Sequence, residues 1–155
     1  MAVATYTSTV FANNQPKRVH AGEVTVSGQW VAAAAATVGD VVWLAKIPHG
    51  AIVTEFAVNH SATVTTFAVD YGLASGVKAG GGAQLSIFAT ALAKATIIRK
   101  NLQNVTGTDN VQISCSVSDP GRYGIFAAKI GTNSATNLPI INFSITYRND
   151  DLQGL

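Results

Sequence analysis

The sequence predicts an all-β chain, an antiparallel β-sandwich of jelly-roll-like kind with at most one short helix. Three observations carry that reading. Period-2 alternation of apolar and polar residues recurs from Glu23 to Tyr147. The stretch Asp40 to Gly72, DVVWLAKIPHGAIVTEFAVNHSATVTTFAVDYG, holds three apolar β-type runs cut by turn signals. No self-similar period appears, so a solenoid or propeller is unsupported, and roughly eight short strands in one domain suit a sandwich.

Residues 1–17 are mixed and polar, with turn formers at Asn13-Asn14-Gln15-Pro16, and read as an N-terminal arm or a first edge strand. The sandwich domain is expected over 18–148, followed by a solvated tail over 149–155. Within RVHAGEVTVSGQWVAAAA, Glu23 to Val26 alternate as a half-buried strand does. The run Ala32 to Ala36 suits a helix by propensity, but it follows Gly28 closely and leads into Thr37-Val38-Gly39-Asp40, which equally suits a strand with a small-residue face.

From Asp40 onward, Val41 and Trp43 point one way and Val42 and Leu44 the other, which predicts a central strand with Trp43 in the core. Pro48-His49-Gly50 then makes a turn. Ala51 to Asn59 and Thr65 to Leu73 repeat the strand pattern. ASGVKAGGGAQ, from Ala74 to Gln84, reads as a loop, and its glycine triplet lacks the Lys-Ser/Thr that a phosphate loop requires. Leu85, Phe88, Ala89 and Leu92 fall at helical spacing and predict the one helix, near Ala83 to Lys94. Three strands close the chain, over Val111 to Val117, Tyr123 to Ile130 and Leu138 to Arg148. The last alternates most strictly, with Ile141, Phe143, Ile145 and Tyr147 on one face.

Composition narrows the function. Hydrophobic residues make up 48% of the 155, and charged residues 12%, about half the usual share of roughly 25%. Much of the surface is therefore neutral, which favours faces covered by copies of the chain or by a partner. A net charge of +2, with no basic run longer than Lys17-Arg18 or Arg99-Lys100, gives no nucleic-acid footprint. No apolar run is long enough to cross a bilayer. MAVATYTSTV lacks a basic segment followed by an apolar stretch, so synthesis in the cytosol is expected.

Chemistry is hard to place. His20, His49 and His60 stand apart from one another and from Cys115, so no metal, cofactor or catalytic residue is nominated, a symmetric site with one His per subunit being the residual metal option. His60 reads as a surface or capping residue at a strand end, and Cys115 in VQISCSV as a small buried hydrophobe. No Gly-x-Ser-x-Gly elbow occurs. Glu55 and Asp70, on candidate neighbouring strands, are the least unsuitable carboxylate pair. A carbohydrate-binding or hydrolytic sandwich thus stays as the alternative to an assembly protein, and would need exposed aromatic rings and converging acids.

Lys46-Ile-Pro-His-Gly-Ala-Ile-Val53, then Asp70-Tyr-Gly-Leu-Ala74, Ala127-Ala-Lys-Ile130 and Phe143-Ser-Ile-Thr-Tyr147, resemble a pattern of small virion proteins of tailed bacteriophages. The resemblance spans about Arg18 to Arg148. It implies a capsid decoration, or cement, protein: a non-enzymatic homo-oligomer, most simply a trimer, that binds the major capsid protein on the outside of the shell. A head-tail or tail-surface module is the other member of that class. The contact surface is expected to include Tyr6, Val10 and Phe11 of the arm, with Trp30 and His49.

Overall fold

The computed structural model describes residues 4–13, 22–33, 36–48, 51–61, 68–74, 84–93, 97–101, 111–112, 123–131 and 139–149. These residues form two sheets and one short helix. The strands are β1 (Thr5–Thr7), β2 (Glu23–Val31), β3 (Val41–Pro48), β4 (Ala51–Ser61), β5 (Ala68–Ala74), β6 (Gln84–Ala93), β7 (Ile97–Asn101), β8 (Val111–Gln112), β9 (Tyr123–Ile130) and β10 (Ile140–Asn149). Helix α1 covers Thr9–Asn13. One sheet, A, runs β1-β3-β9-β5-β6; the other, B, runs β2-β10-β4-β7, with β8 also on β4. Among the described strands, successive ones mostly alternate between the sheets; β5 with β6 in sheet A, and β7 with β8 in sheet B, are the consecutive strands that share one. All pairings are antiparallel except β1 on β3, which is parallel.

The alternation seen in the sequence sets the core. Ile141, Phe143, Ile145 and Tyr147 of β10 pack inward, as do Val53, Phe56 and Val58 of β4. Across from them lie Val42, Leu44, Val69, Tyr71, Phe126, Ala128 and Ile130 of sheet A. A bulge between Trp43 and Ala45 lets β3 present Leu44, Ala45 and Ile47 to the same core. Phe126 is the hub of the aromatic cluster, with centroids 6.5 Å from Phe56, 6.3 Å from Tyr71 and 6.1 Å from Phe143.

Several expectations are corrected. The helix predicted near Ala83 to Lys94 is strand β6. Its pairing with β5 shifts register twice, so that the interval from Tyr71 to Leu73 faces the interval from Ala89 back to Gln84. Extra residues on one strand break period-2 alternation, and that is how a strand acquires apolar residues at helical spacing. The alanine run is neither strand nor helix at Ala32 and Ala33, because β2 ends at Val31. Trp43 is half-buried on the outer side of sheet A rather than in the main core. His60 is fully buried, and its Nδ1 lies 3.1 Å from the Tyr71 hydroxyl, joining the two sheets.

The first residues are docked on the sandwich. Ser8 caps α1: its Oγ accepts from Phe11 N at 2.9 Å and donates to the Leu44 carbonyl of β3 at 2.6 Å. Asp40, itself buried, accepts from Ala4 N at 2.9 Å and from Thr37 N at 2.8 Å. It thereby ties the start of β1 to the turn before β3, where Gly39 takes a φ of 92° that suits glycine. Val10 of α1 fills the notch left by Gly28 in β2, since a Cβ at position 28 would overlap Val10 Cγ2. On the other side of α1, Phe11 joins Val41, Ile125 and Ala127 in a second apolar cluster, against Trp43 and Tyr123. Ser8→Ala removes the cap and the Leu44 bond together, so it should cost about 1–2 kcal/mol in a urea titration.

Candidate interaction surface

Edge position and strand alternation leave one broad face open. On the outer side of sheet B, Val31, Ile140 and Ser61 form one cross-strand row; Gln29, Asn142 and Asn59 form the next. Ser27, Ser144 and Ala57 follow, then Thr25, Thr146 and Glu55. Among these residues Glu55 carries the one charge, and the next row along β2 and β10, Glu23 with Arg148, bounds the neutral area at one end. Their polar groups are partly satisfied among themselves: Gln29 Nε2 donates to Asn142 Oδ1 at 2.8 Å, and the Thr25 and Thr146 hydroxyls meet at 2.8 Å. A shallow depression of about 560 Å³ crosses the middle rows. Uncharged groups with partners already in place lose little when water is removed, whereas bare charges lose much. This is where the low charge content of the chain becomes a surface property.

A second feature lies at the edge of the sandwich. Sheet A extends past β3 by strand β1, while sheet B stops at β2, and a groove of about 780 Å³ opens between them. Of the residues expected at a contact surface, Tyr6, Val10 and Trp30 line this groove together. The Tyr6 and Trp30 rings stand 5.7 Å apart. Trp30 is 6% exposed and Phe11 7% exposed, so both rings are mostly spent inside the chain. Phe11 faces away from the groove, with Lys46 Nζ 4.9 Å from its ring centroid and 5.4 Å from that of Tyr123. His49 lies outside the described residues, as do His20 and Cys115. Val31, at 53% exposure, is the large apolar residue most open at this edge, and sequence alternation alone had no means of showing it.

The geometry gives no support to a hydrolytic centre. Glu55 is on β4 of sheet B and Asp70 on β5 of sheet A, where its cross-strand partner is Lys129. The two carboxylates thus belong to different sheets and not to neighbouring strands. Among the described residues no group of three or more His, Cys, Asp or Glu side chains gathers as metal ligands do. Every aromatic side chain whose burial is described is buried or half-buried, which leaves no sugar-stacking platform among them.

His60 and Tyr71 form a buried titratable contact between the sheets. Burial pushes the Tyr71 phenol far above its ordinary value of 10.0. The folded chain therefore holds that proton more tightly than the unfolded chain. The resulting stability is complete below about pH 10 and is lost as pH rises beyond it. Absorbance of phenolate should show Tyr71 ionising only as the fold opens, and Tyr71→Phe should flatten the alkaline limb of the stability profile.

No protein-family model matches the chain, and no curated protein matches it in sequence. Solved structures do match its fold. A chain in the capsid of Ralstonia phage GP4 aligns over 94% of this chain and 98% of its own length, with a TM-score of 0.70 and 14% identity. A chain in the capsid asymmetric unit of cyanophage Pam1 aligns over 92% of this chain and 98% of its own length, with a TM-score of 0.50 and 15% identity.

Proposed function

We propose that the protein is a non-enzymatic structural component of a phage virion, and within that class a decoration protein that binds the outside of the capsid and braces its shell subunits. The observation that carries the reading is the whole-length fold match to a chain within a phage capsid, at a TM-score of 0.70. The matched chain is of comparable length, so what is alike is an entire small sandwich and not one layer of a larger shell protein. The interleaved strand order supports reading the sandwich as a jelly roll, an architecture common among viral capsid proteins.

The neutral outer face of sheet B suits a lasting contact with a shell. It offers area with little charge desolvation, Glu55 apart, and the small Ser, Ala, Asn and Thr side chains that line it lose little rotamer freedom on burial. Partners would be the major capsid protein and, through the remaining neutral surface, further copies in an oligomer such as a trimer. Mixing the purified chain with parent heads that lack it tests the proposal. Saturable binding that changes little between about 50 and 500 mM salt is expected, because a neutral contact has few charges to screen. Failure to bind such heads at any salt concentration would refute it.

A further inference from the structure

We infer that the groove beside β2 receives a single extended, uncharged segment of a neighbouring shell polypeptide, which adds a strand to sheet B. This rests on the virion reading above. Strand β2, EVTVSGQWV, is nine residues long and is the end strand of its sheet among the described residues. Natural edge strands are guarded by lysine, proline or bulges. None occurs here: β2 has neither residue type, keeps one register along β10, and carries its one charge at Glu23, the end remote from the groove. The opposite edge strand, β7, carries Arg99 and Lys100.

Backbone direction agrees. Ala32 N donates to the Pro139 carbonyl at 3.0 Å, which places Ala32 among the residues bonding toward β10. By alternation, Ser27, Gln29 and Val31 turn their N–H and carbonyl groups toward the open edge. Strand β1 and helix α1 overhang that edge, so the groove has Tyr6, Thr7 and Val10 on one side and Gln29, Trp30 and Val31 on the other. Among the described residues none that lines it is charged, which favours an uncharged occupant. A second copy offering its own β2 would bring its own overhanging β1 and α1 into collision with these, whereas one extended segment fits beneath them. Backbone pairing then supplies affinity, and the half-buried Tyr6 and Val10 of the groove select side chains at alternate positions.

The test is hydrogen exchange on the full chain, free and bound to parent heads stripped of it, together with head binding by Thr7→Arg and Gln29→Pro. Thr7 is exposed, so Thr7→Arg keeps the fold and places a charge in the groove. Gln29→Pro removes an outward N–H. On heads, the Ser27, Gln29 and Val31 amides should slow by about 100-fold, and each variant should bind about tenfold more weakly. If Gln29→Pro does not fold, Thr7→Arg and the wild-type exchange decide. Wild-type binding with unchanged exchange at these amides and undiminished Thr7→Arg binding would overturn the inference and leave the virion reading intact. Absence of wild-type binding would remove the virion reading itself, and this inference with it. Concentration-dependent protection of the same amides without heads would make a second copy the occupant, and would also overturn it.

Discussion

Replacing Phe126 by alanine should lower the stability of the chain by about 3–5 kcal/mol, the largest loss expected from any single substitution. The ring is fully buried between the sheets and touches Phe56, Tyr71 and Phe143, so its removal opens a cavity that aromatic neighbours on three strands cannot all close. Natural domains hold only about 5–15 kcal/mol in total, and the loss should lower the melting temperature by about 10 °C or more. Phe126→Leu is the control, since a swap nearer in volume should cost clearly less. Calorimetry of the two variants separates cavity formation from any general sensitivity of β9.

Gly28→Val should be the second most damaging change, for the opposite reason. A side chain at position 28 overlaps Val10 and comes within 3.2 Å of Phe143 Cζ, so either α1 leaves its seat or β2 moves off the core. Overpacking of this kind costs about 1–3 kcal/mol, and displacing α1 also strips Phe11 from its cluster with Val41 and Ile125. The signature is coupling. Val10→Ala alone removes contacts and destabilises modestly, but combined with Gly28→Ala it makes room, so the pair should be more stable than the two single effects added together. Urea midpoints of the four proteins complete the cycle.

The parts of this fold legible in the sequence are those where a strand keeps period-2 alternation against a single core. Ile141, Phe143, Ile145 and Tyr147 were readable as the inner face of β10 because nothing interrupts its pleat; Tyr123 to Ile130 was readable as β9 from its apolar run, although that strand serves both clusters. Alternation misleads where register shifts. β6 gains residues against β5 and so imitates a helix. Trp43 sits in an apolar run because both sides of β3 are covered, one by the core and the other by α1, and the run alone does not say which side is which.

The short helix was hidden for a different reason. Five residues, TVFAN, have no helical periodicity to detect, and what holds them is tertiary: the Ser8 cap on β3, Val10 in the Gly28 notch and Phe11 against Trp43. The candidate surface was legible in part. Low charge announced that a neutral face existed, but which rows of residues form it depends on which strands neighbour β10, and that is long-range information. Tyr6 and Val10, nominated as residues of the arm, meet Trp30 in one groove only because β1 runs parallel to β3 above the edge of β2.

The most direct measurement of the central claim is an electron-microscopic reconstruction of the parent phage head, with mass spectrometry of the same purified particles. The chain should be present in the heads, and density matching its two sheets, β1-β3-β9-β5-β6 over β2-β10-β4-β7, should repeat regularly on the outer surface with the neutral rows of sheet B against the shell. Heads that lack the chain altogether, or that carry no such density on their exterior, would contradict it.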